Sequence, residues 1–238
     1  MKINPGTYYN EDYFSSKKTY TDEFGIERVY HGPAKHWHGF GIIANWIKEN
    51  MPWVKTVLDV GCSAGSFVAQ AVEVGLDCVG VDISEYAVSH PVPGAKGRLK
   101  VMDLKNMNNP AEHDLVVAFD LLEHIYRKDL EVCMENIAKA VKPGGSFFAC
   151  IATARFPHEE WEHPSEDHPV PQDKNWLAVS GHVNVKSFKW WLDELKGFGF
   201  TRNDKLMLDF QIWRMLHPDF NKLESWSLLN VYIGEKHA

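Results

Sequence analysis

The sequence predicts an α/β fold, a doubly wound and mostly parallel sheet with helices on both faces, and three observations carry that prediction. Short apolar runs of strand length, Val57–Val60, Cys78–Ile83, Leu115–Phe119 and Ser146–Ile151, alternate with segments whose apolar residues recur at helical spacing. The runs lack the apolar-polar alternation of a half-exposed strand, so they belong inside a parallel sheet covered on both sides. The first run breaks into small residues with glycines at 61 and 65, and Phe67, Val68, Ala71 and Val72 then open a helix. Strand, tight turn and helix in that order bring closely approaching backbone and free helix N–H groups to the carboxyl edge of the sheet.

Along the chain, residues 1 to 35 are rich in Tyr and Gly and lack a long period. Tyr8, Tyr9, Tyr13 and Phe14 form their densest aromatic cluster. Rings with polar tips suit an arm that packs on the domain and covers a partly wet pocket. From about Ala34 to Asn50, Trp37, Phe40, Ile43 and Ile47 recur as on an amphipathic helix, with His36 and His38 as surface residues. The second buried strand ends in Asp82-Ile83-Ser84, about 20 residues after Gly61, the spacing at which a βαβ unit places an acid able to grip ribose hydroxyls. Ser84 can cap the next helix, which frees Asp82 from that task. Arg98 to Met102 is the third strand, ending at Asp103-Leu104, and Asp114 to Asp120 is the fourth. A helix carrying Leu130, Met134, Ile137 and Val141 runs to a stop at Lys142-Pro143-Gly144-Gly145, before the fifth strand, Ser146 to Ile151. Asp59, Asp82, Asp103 and Asp120 thereby stand at or next to strand carboxyl ends, where a doubly wound sheet binds its ligand.

Residues 152 to 181 have no period and are crowded with His158, Glu159, Glu160, Glu162, His163, Glu166, Asp167 and His168. No fixed ligand spacing is present, so the segment is expected to be a substrate lid, with no metal. After Gly181-His182-Val183-Asn184 comes a helix with Phe188, Trp191, Leu192 and Leu195 on one face. Leu206 to Trp213 and Trp226 to Ile233 read as a closing antiparallel pair of strands. The expected organisation is an arm and helix over residues 1–50 that covers the pocket, and one domain over 51–238 with a lid insertion at about 152–185.

The 238 residues, 45% apolar, suffice for one sizeable core. A net charge of −7 with scattered lysines and arginines disfavours a polyanionic partner, so a small molecule is expected and nucleic acid is not. Four cysteines, Cys62, Cys78, Cys133 and Cys150, form no C-x-x-C pair and read as thiols of a reducing compartment. With no signal-peptide core and no apolar run near the roughly 18 residues of a membrane span, a cytoplasmic location is expected. Homodimer formation is left open.

Three chemistries compete for the glycine turn. A dinucleotide site wants a third glycine where Ser66 stands. Gly61-Cys62-Ser63-Ala64-Gly65 also satisfies G-x-S-x-G, which in an α/β-hydrolase would make Ser63 the nucleophile, yet no upstream Gly-rich loop offers an oxyanion hole. The third chemistry comes with a resemblance. Asp59 followed by the Gly61, Ser63, Gly65 turn resembles the first motif of class I S-adenosylmethionine (SAM) dependent methyltransferases, an acid and then G-x-G-x-G, with Ser63 at the middle glycine. Leu122-Glu123-His124-Ile125 and Lys142-Pro143-Gly144-Gly145 resemble segments of one branch of that family that includes small-molecule and sugar methyltransferases. The likeness is good over about Thr56 to Ile151.

The resemblance implies a Rossmann-like sheet of seven strands with an antiparallel closing strand, SAM as cofactor and S-adenosylhomocysteine as product. It implies a cofactor site made of Asp59, Gly61, Cys62, Ser63, Gly65, Asp82, Ile83, Asp103, Leu104 and Asp120, with Asp103 toward the adenine amino group. His124 and His182 would face the transferable methyl as candidate bases for an alcohol nucleophile. Phe119-Asp120-Leu121-Leu122 stands where many DNA and protein amino-group methylases carry [DN]-P-P-[YF]. O-methylation of a small hydroxylated metabolite such as a sugar or sugar nucleotide is therefore expected. N-methylation of a small amine, the Ser63 hydrolase and a non-catalytic scaffold are the alternatives.

Overall fold

The computed structural model describes residues 8–15, 18–21, 27–30, 39–108, 110–154, 156–162, 181–219 and 230–237. At the N-terminus lie the short helix α1 (Glu11–Ser15) and an antiparallel pair, β1 (Lys18–Thr21) with β2 (Glu27–Tyr30). Helix α2 (Gly39–Asn50) leads into the first core strand, β3 (Thr56–Val60), and α3 (Ser66–Glu73) follows it. Next come β4 (Asp77–Asp82), α4 (Glu85–Ser89), β5 (Leu99–Val101), β6 (His113–Phe119), α5 (Arg127–Ala140) and β7 (Val141–Cys150). The chain closes with β8 (Trp161–Glu162), β9 (Asn184–Val185), α6 (Phe188–Lys196), β10 (Phe200–Arg202), α7 (Asp204–Leu216) and β11 (Val231–Lys236).

One sheet of seven strands has the order β10-β11-β7-β6-β3-β4-β5. β11 runs antiparallel to both neighbours, and the pairings from β7 to β5 are all parallel. The side chains of the central strands alternate between two apolar layers because successive strand residues point to opposite faces. Val57, Leu115, Val117 and Phe148 meet α2, α3 and α7 through Ile43, Trp46, Phe67 and Phe210. Leu58, Val116, Phe147 and Ala149 meet α5 and α6 through Leu130, Met134, Ile137 and Trp191. Chain direction across the sheet reverses at β3, with β4 on one side and β6 on the other, so the crevice for a ligand opens above these strands.

Two expectations need correction. Leu206 to Trp213 is part of helix α7 and no strand. Asn203 Oδ1 accepts the Leu206 amide at 2.9 Å to cap it, and Leu206, Phe210 and Arg214 are buried at four-residue steps. The closing pair is β10 with β11. The stretch Lys142-Pro143-Gly144-Gly145 does not separate helix from strand, because β7 already starts at Val141 beside a register shift against β6. Gly145 is pressed onto β6, where a Cβ would stand 2.9 Å from the Asp114 carbonyl oxygen. The described part of helix α2 is Gly39–Asn50, and the expected start near Ala34, with His36 and His38, lies outside the described residues.

Candidate active site

A cavity of about 520 Å³ opens above the carboxyl ends of the central strands. Asp59, Gly61, Cys62, Ser63, Asp82, Ile83, Asp103, Leu104, Asp120, His124 and His182 all line it. Gly65 stands behind the wall. Its φ is +81°, and a Cβ there would lie 2.5 Å from Ala95, so glycine lets α3 start against that neighbour.

The turn is held from below by Asp82. Its carboxylate accepts the Ser63 amide at 2.7 Å and the Ser84 amide at 2.8 Å. Ser63 has φ +52° and Asp120 φ +51°, and among the described residues only these two non-glycines have left-handed backbone. Both sit in the cavity wall, where stored backbone strain is common. Burial pushes the Asp82 carboxyl up against the pull of the Ser84, Ser63 and Ile83 amides, and burial with the Asp82 charge pushes Asp59 well up. Asp103 caps the turn that follows it, accepting the Lys105 amide at 3.0 Å. Cys62 is a buried thiol driven far up by burial and by Asp59 and Asp82, unfit as a nucleophile.

At the other end of the cavity, the rings of His124 and His182 meet edge to face with centroids 4.8 Å apart. His124 Nδ1 lies 3.0 Å from the Gly181 carbonyl oxygen and 3.0 Å from the Tyr9 hydroxyl. A carbonyl oxygen can only accept, so Nδ1 carries the proton and the ring's lone pair is on Nε2. Burial pushes His124 down to about 4 against the Gly181 carbonyl, and burial together with His124 holds His182 well below the usual imidazole range. Both rings are neutral at pH 7.

Glu123 and Gly181 belong to this site, although neither was given a role in it from sequence, and Tyr9, expected as part of the covering arm, reaches His124 itself. The Ser84 hydroxyl donates to the Tyr9 carbonyl oxygen at 2.6 Å and accepts the Ala87 amide, so one serine caps α4 and docks the arm. Tyr13 and Phe14 line the cavity beside Tyr9. Glu123 is fully buried. Its carbonyl accepts the Val183 amide at 2.8 Å, its Oε1 accepts the Ala152 amide at 3.0 Å, and burial with Asp120 drives its carboxyl well up. Trp190 lies under Arg127 and Lys186, Trp161 packs on Ala154 and Val185, and neither lines the cavity. Trp176, His163, Glu166, Asp167 and His168 lie outside the described residues.

A family model described as "Methyltransferase domain" matches residues 38–204. The chain belongs to that family. Among curated relatives, the ubiquinone biosynthesis O-methyltransferase of Idiomarina loihiensis is 32% identical over 101 residues, 40% of this chain and 41% of that protein. The enzyme of the same name from Aliivibrio fischeri is 30% identical over 113 residues, covering 44% and 47%. The match thus spans less than half the length of these relatives. A SAM-dependent methyltransferase from Mesorhizobium loti superposes with a TM-score of 0.55 at 18% identity, over 81% of this chain and 98% of that one. The [4+2]-cyclase SpnF superposes equally well at 0.55, with 15% identity and 83% and 82% coverage, so the likeness to solved structures is one of fold.

The domain is that of a class I SAM-dependent methyltransferase, and its residues fit the cofactor. A buried carboxylate, Asp82, stands in the wall where ribose hydroxyls would meet it, with Asp103 and the apolar Ile83 and Leu104 beside it for a flat base. SAM, when bound, supplies a sulfonium-activated methyl group. Among the described residues no helix is long and apolar enough to cross a membrane.

Proposed function

We propose that this protein methylates a hydroxyl of a small polyhydroxylated metabolite, a sugar or sugar nucleotide, with His124 and His182 as the catalytic pair at the acceptor oxygen. One observation carries the reading: both imidazoles line the same cavity as the cofactor-fitting carboxylates. The chain's own part in the reaction is positional. Holding the acceptor oxygen in line with the methyl group and its leaving sulfur can contribute roughly 7 to 11 kcal/mol. The acceptor hydroxyl must also be ionised, and the Nε2 lone pair of His124 is the nearest basic group that the tautomer argument identifies. Aromatic faces from Tyr9, Tyr13 and Phe14 suit the C–H face of a sugar ring. The names of the curated relatives agree with an oxygen acceptor. A reducing, cytoplasmic setting accords with four buried free thiols.

The test is transfer of labelled methyl from SAM to a panel of nucleotide sugars, free sugars, phenols, quinones and amines. Labelling of a sugar hydroxyl, lost in His124→Ala or His182→Ala, is the expected result. Labelling of amines alone would overturn the oxygen assignment, and full activity in both histidine variants would remove the catalytic pair.

A further inference from the structure

Directly beside His124, a carboxyl oxygen of Glu123 is buried and, among the described residues, makes no hydrogen bond. Glu123 is 0% exposed, and the oxygen is its Oε2. One donor atom each from Glu123, His124 and His182 lie within 4.8 Å of one another. We propose that Glu123, His124 and His182 bind a divalent transition-metal ion at the floor of the acceptor end of the cavity.

The geometry supports a ligand set in three respects. Three donors each about 2.1 Å from a common ion stand about 3 to 3.6 Å from one another, so the widest pair has to close by a little over an ångström, within reach of side-chain rotation. Two of the three ligands are already oriented from outside. His124 gives its Nδ1 proton to the Gly181 carbonyl, the usual arrangement behind a metal-bound imidazole, and leaves Nε2 for the ion. Glu123 Oε1 is held by the Ala152 amide, and its backbone carbonyl pins Val183, next to His182. Third, the donor set matches the ion. One carboxyl group and two imidazoles suit Mn²⁺, Fe²⁺, Co²⁺ or Zn²⁺, and a cation would meet the buried Oε2 that the protein leaves without a donor among the described residues.

Such an ion keeps open positions toward the cavity that both histidines line. For its use the proposal rests on the methyl-transfer reading. An acceptor hydroxyl bound to the ion loses its proton to cavity water at lower pH, the oxygen then bonds to the methyl carbon, and the carbon–sulfur bond breaks with its electron pair left on sulfur. The imidazoles then act on the acceptor oxygen through the ion instead of taking its proton.

The test is calorimetric titration of the chelator-stripped full chain with Mn²⁺, paired with Co²⁺ absorption spectra. One Mn²⁺ per chain is expected, with affinity falling at least about tenfold in Glu123→Gln and in His182→Asn and unchanged in His158→Ala on the exposed turn. Absence of Mn²⁺ binding to the wild-type chain overturns the proposal, and so does unchanged affinity in His182→Asn, whatever Glu123→Gln does to folding. SAM titrated into the stripped protein is read separately. Failure there would sink the methyltransferase reading and leave the Mn²⁺ result standing.

Discussion

The carbonyl oxygen of Gly181 stands 3.0 Å from Nδ1 of His124, and the backbone there has φ +79°, a conformation that favours glycine. A Cβ at this position would lie 2.9 Å from the Tyr8 ring and 3.3 Å from His124 Nδ1. Gly181→Ala should therefore displace the imidazole, with about 1 to 2 kcal/mol of backbone strain besides. Methyl transfer should fall by at least about tenfold, while SAM affinity, which we assign to Asp82 and the glycine turn, should stay as it was. Steady-state kinetics with calorimetry separates the two, and an equal loss in both would refute the division of labour.

Asp82 accepts two amides of the turn and faces the cavity as well. Charge-assisted hydrogen bonds are worth about 1.5 to 3 kcal/mol each, so Asp82→Ala should weaken SAM binding by roughly 10- to 100-fold. Asp82→Asn, which keeps one acceptor oxygen, should lose less. Unchanged affinity in Asp82→Ala would place the cofactor elsewhere.

Ser63 holds φ +52°, where a side chain is strained and glycine is at ease. Ser63→Gly should retain activity and lose no stability. A fluorophosphonate probe should leave the wild-type serine unlabelled, and stoichiometric labelling there would revive the hydrolase chemistry.

Far from the cavity, Asp114 Oδ2 accepts the amides of Lys55 and Thr56 at 2.8 and 2.9 Å, and its Oδ1 meets Lys142 at 2.7 Å. Burial pushes the carboxyl up, but Lys142 and the Thr56 and Lys55 groups outweigh it and bring it to about 2, below its usual 3.8. A folded-state value below the unfolded one stabilises above about pH 4, and the contribution is lost as pH falls toward 2. Asp114→Asn should cost about 1 to 2 kcal/mol at neutral pH and flatten the acid limb of the stability curve in that window, as denaturant melts across pH would show.

The core of the fold was legible because β3, β4, β6 and β7 are apolar on both faces, a pattern that few other arrangements produce. The carboxylates of the cavity were legible for a related reason, since a strand's end marks the crevice. Helix α7 was not. Its outer face carries Leu208, Ile212, Met215 and Leu216, all exposed, which blurs the period that Leu206 and Phe210 set on the inner face. The links among Tyr9, Glu123 and Gly181 lay beyond reach because they join segments distant in sequence, and no local spacing encodes a meeting that only the folded sheet arranges.

The place of β11 between β7 and β10 bears on how a nascent chain acquires this shape. Among the described residues β10 pairs in the sheet with β11 alone, and β7 keeps one edge open until Val231 to Lys236 arrive, when Lys236 Nζ also donates to the Ala138 and Val141 carbonyls at 2.6 and 2.7 Å. A ribosome-bound chain halted before Val231 can assemble β3 to β7 but presents the bare rim of β7 to its surroundings, the kind of edge that recruits foreign strands. The strand that seals that rim is also the one that joins β10 to the sheet, so productive release depends on a segment more than a hundred residues beyond the cofactor turn.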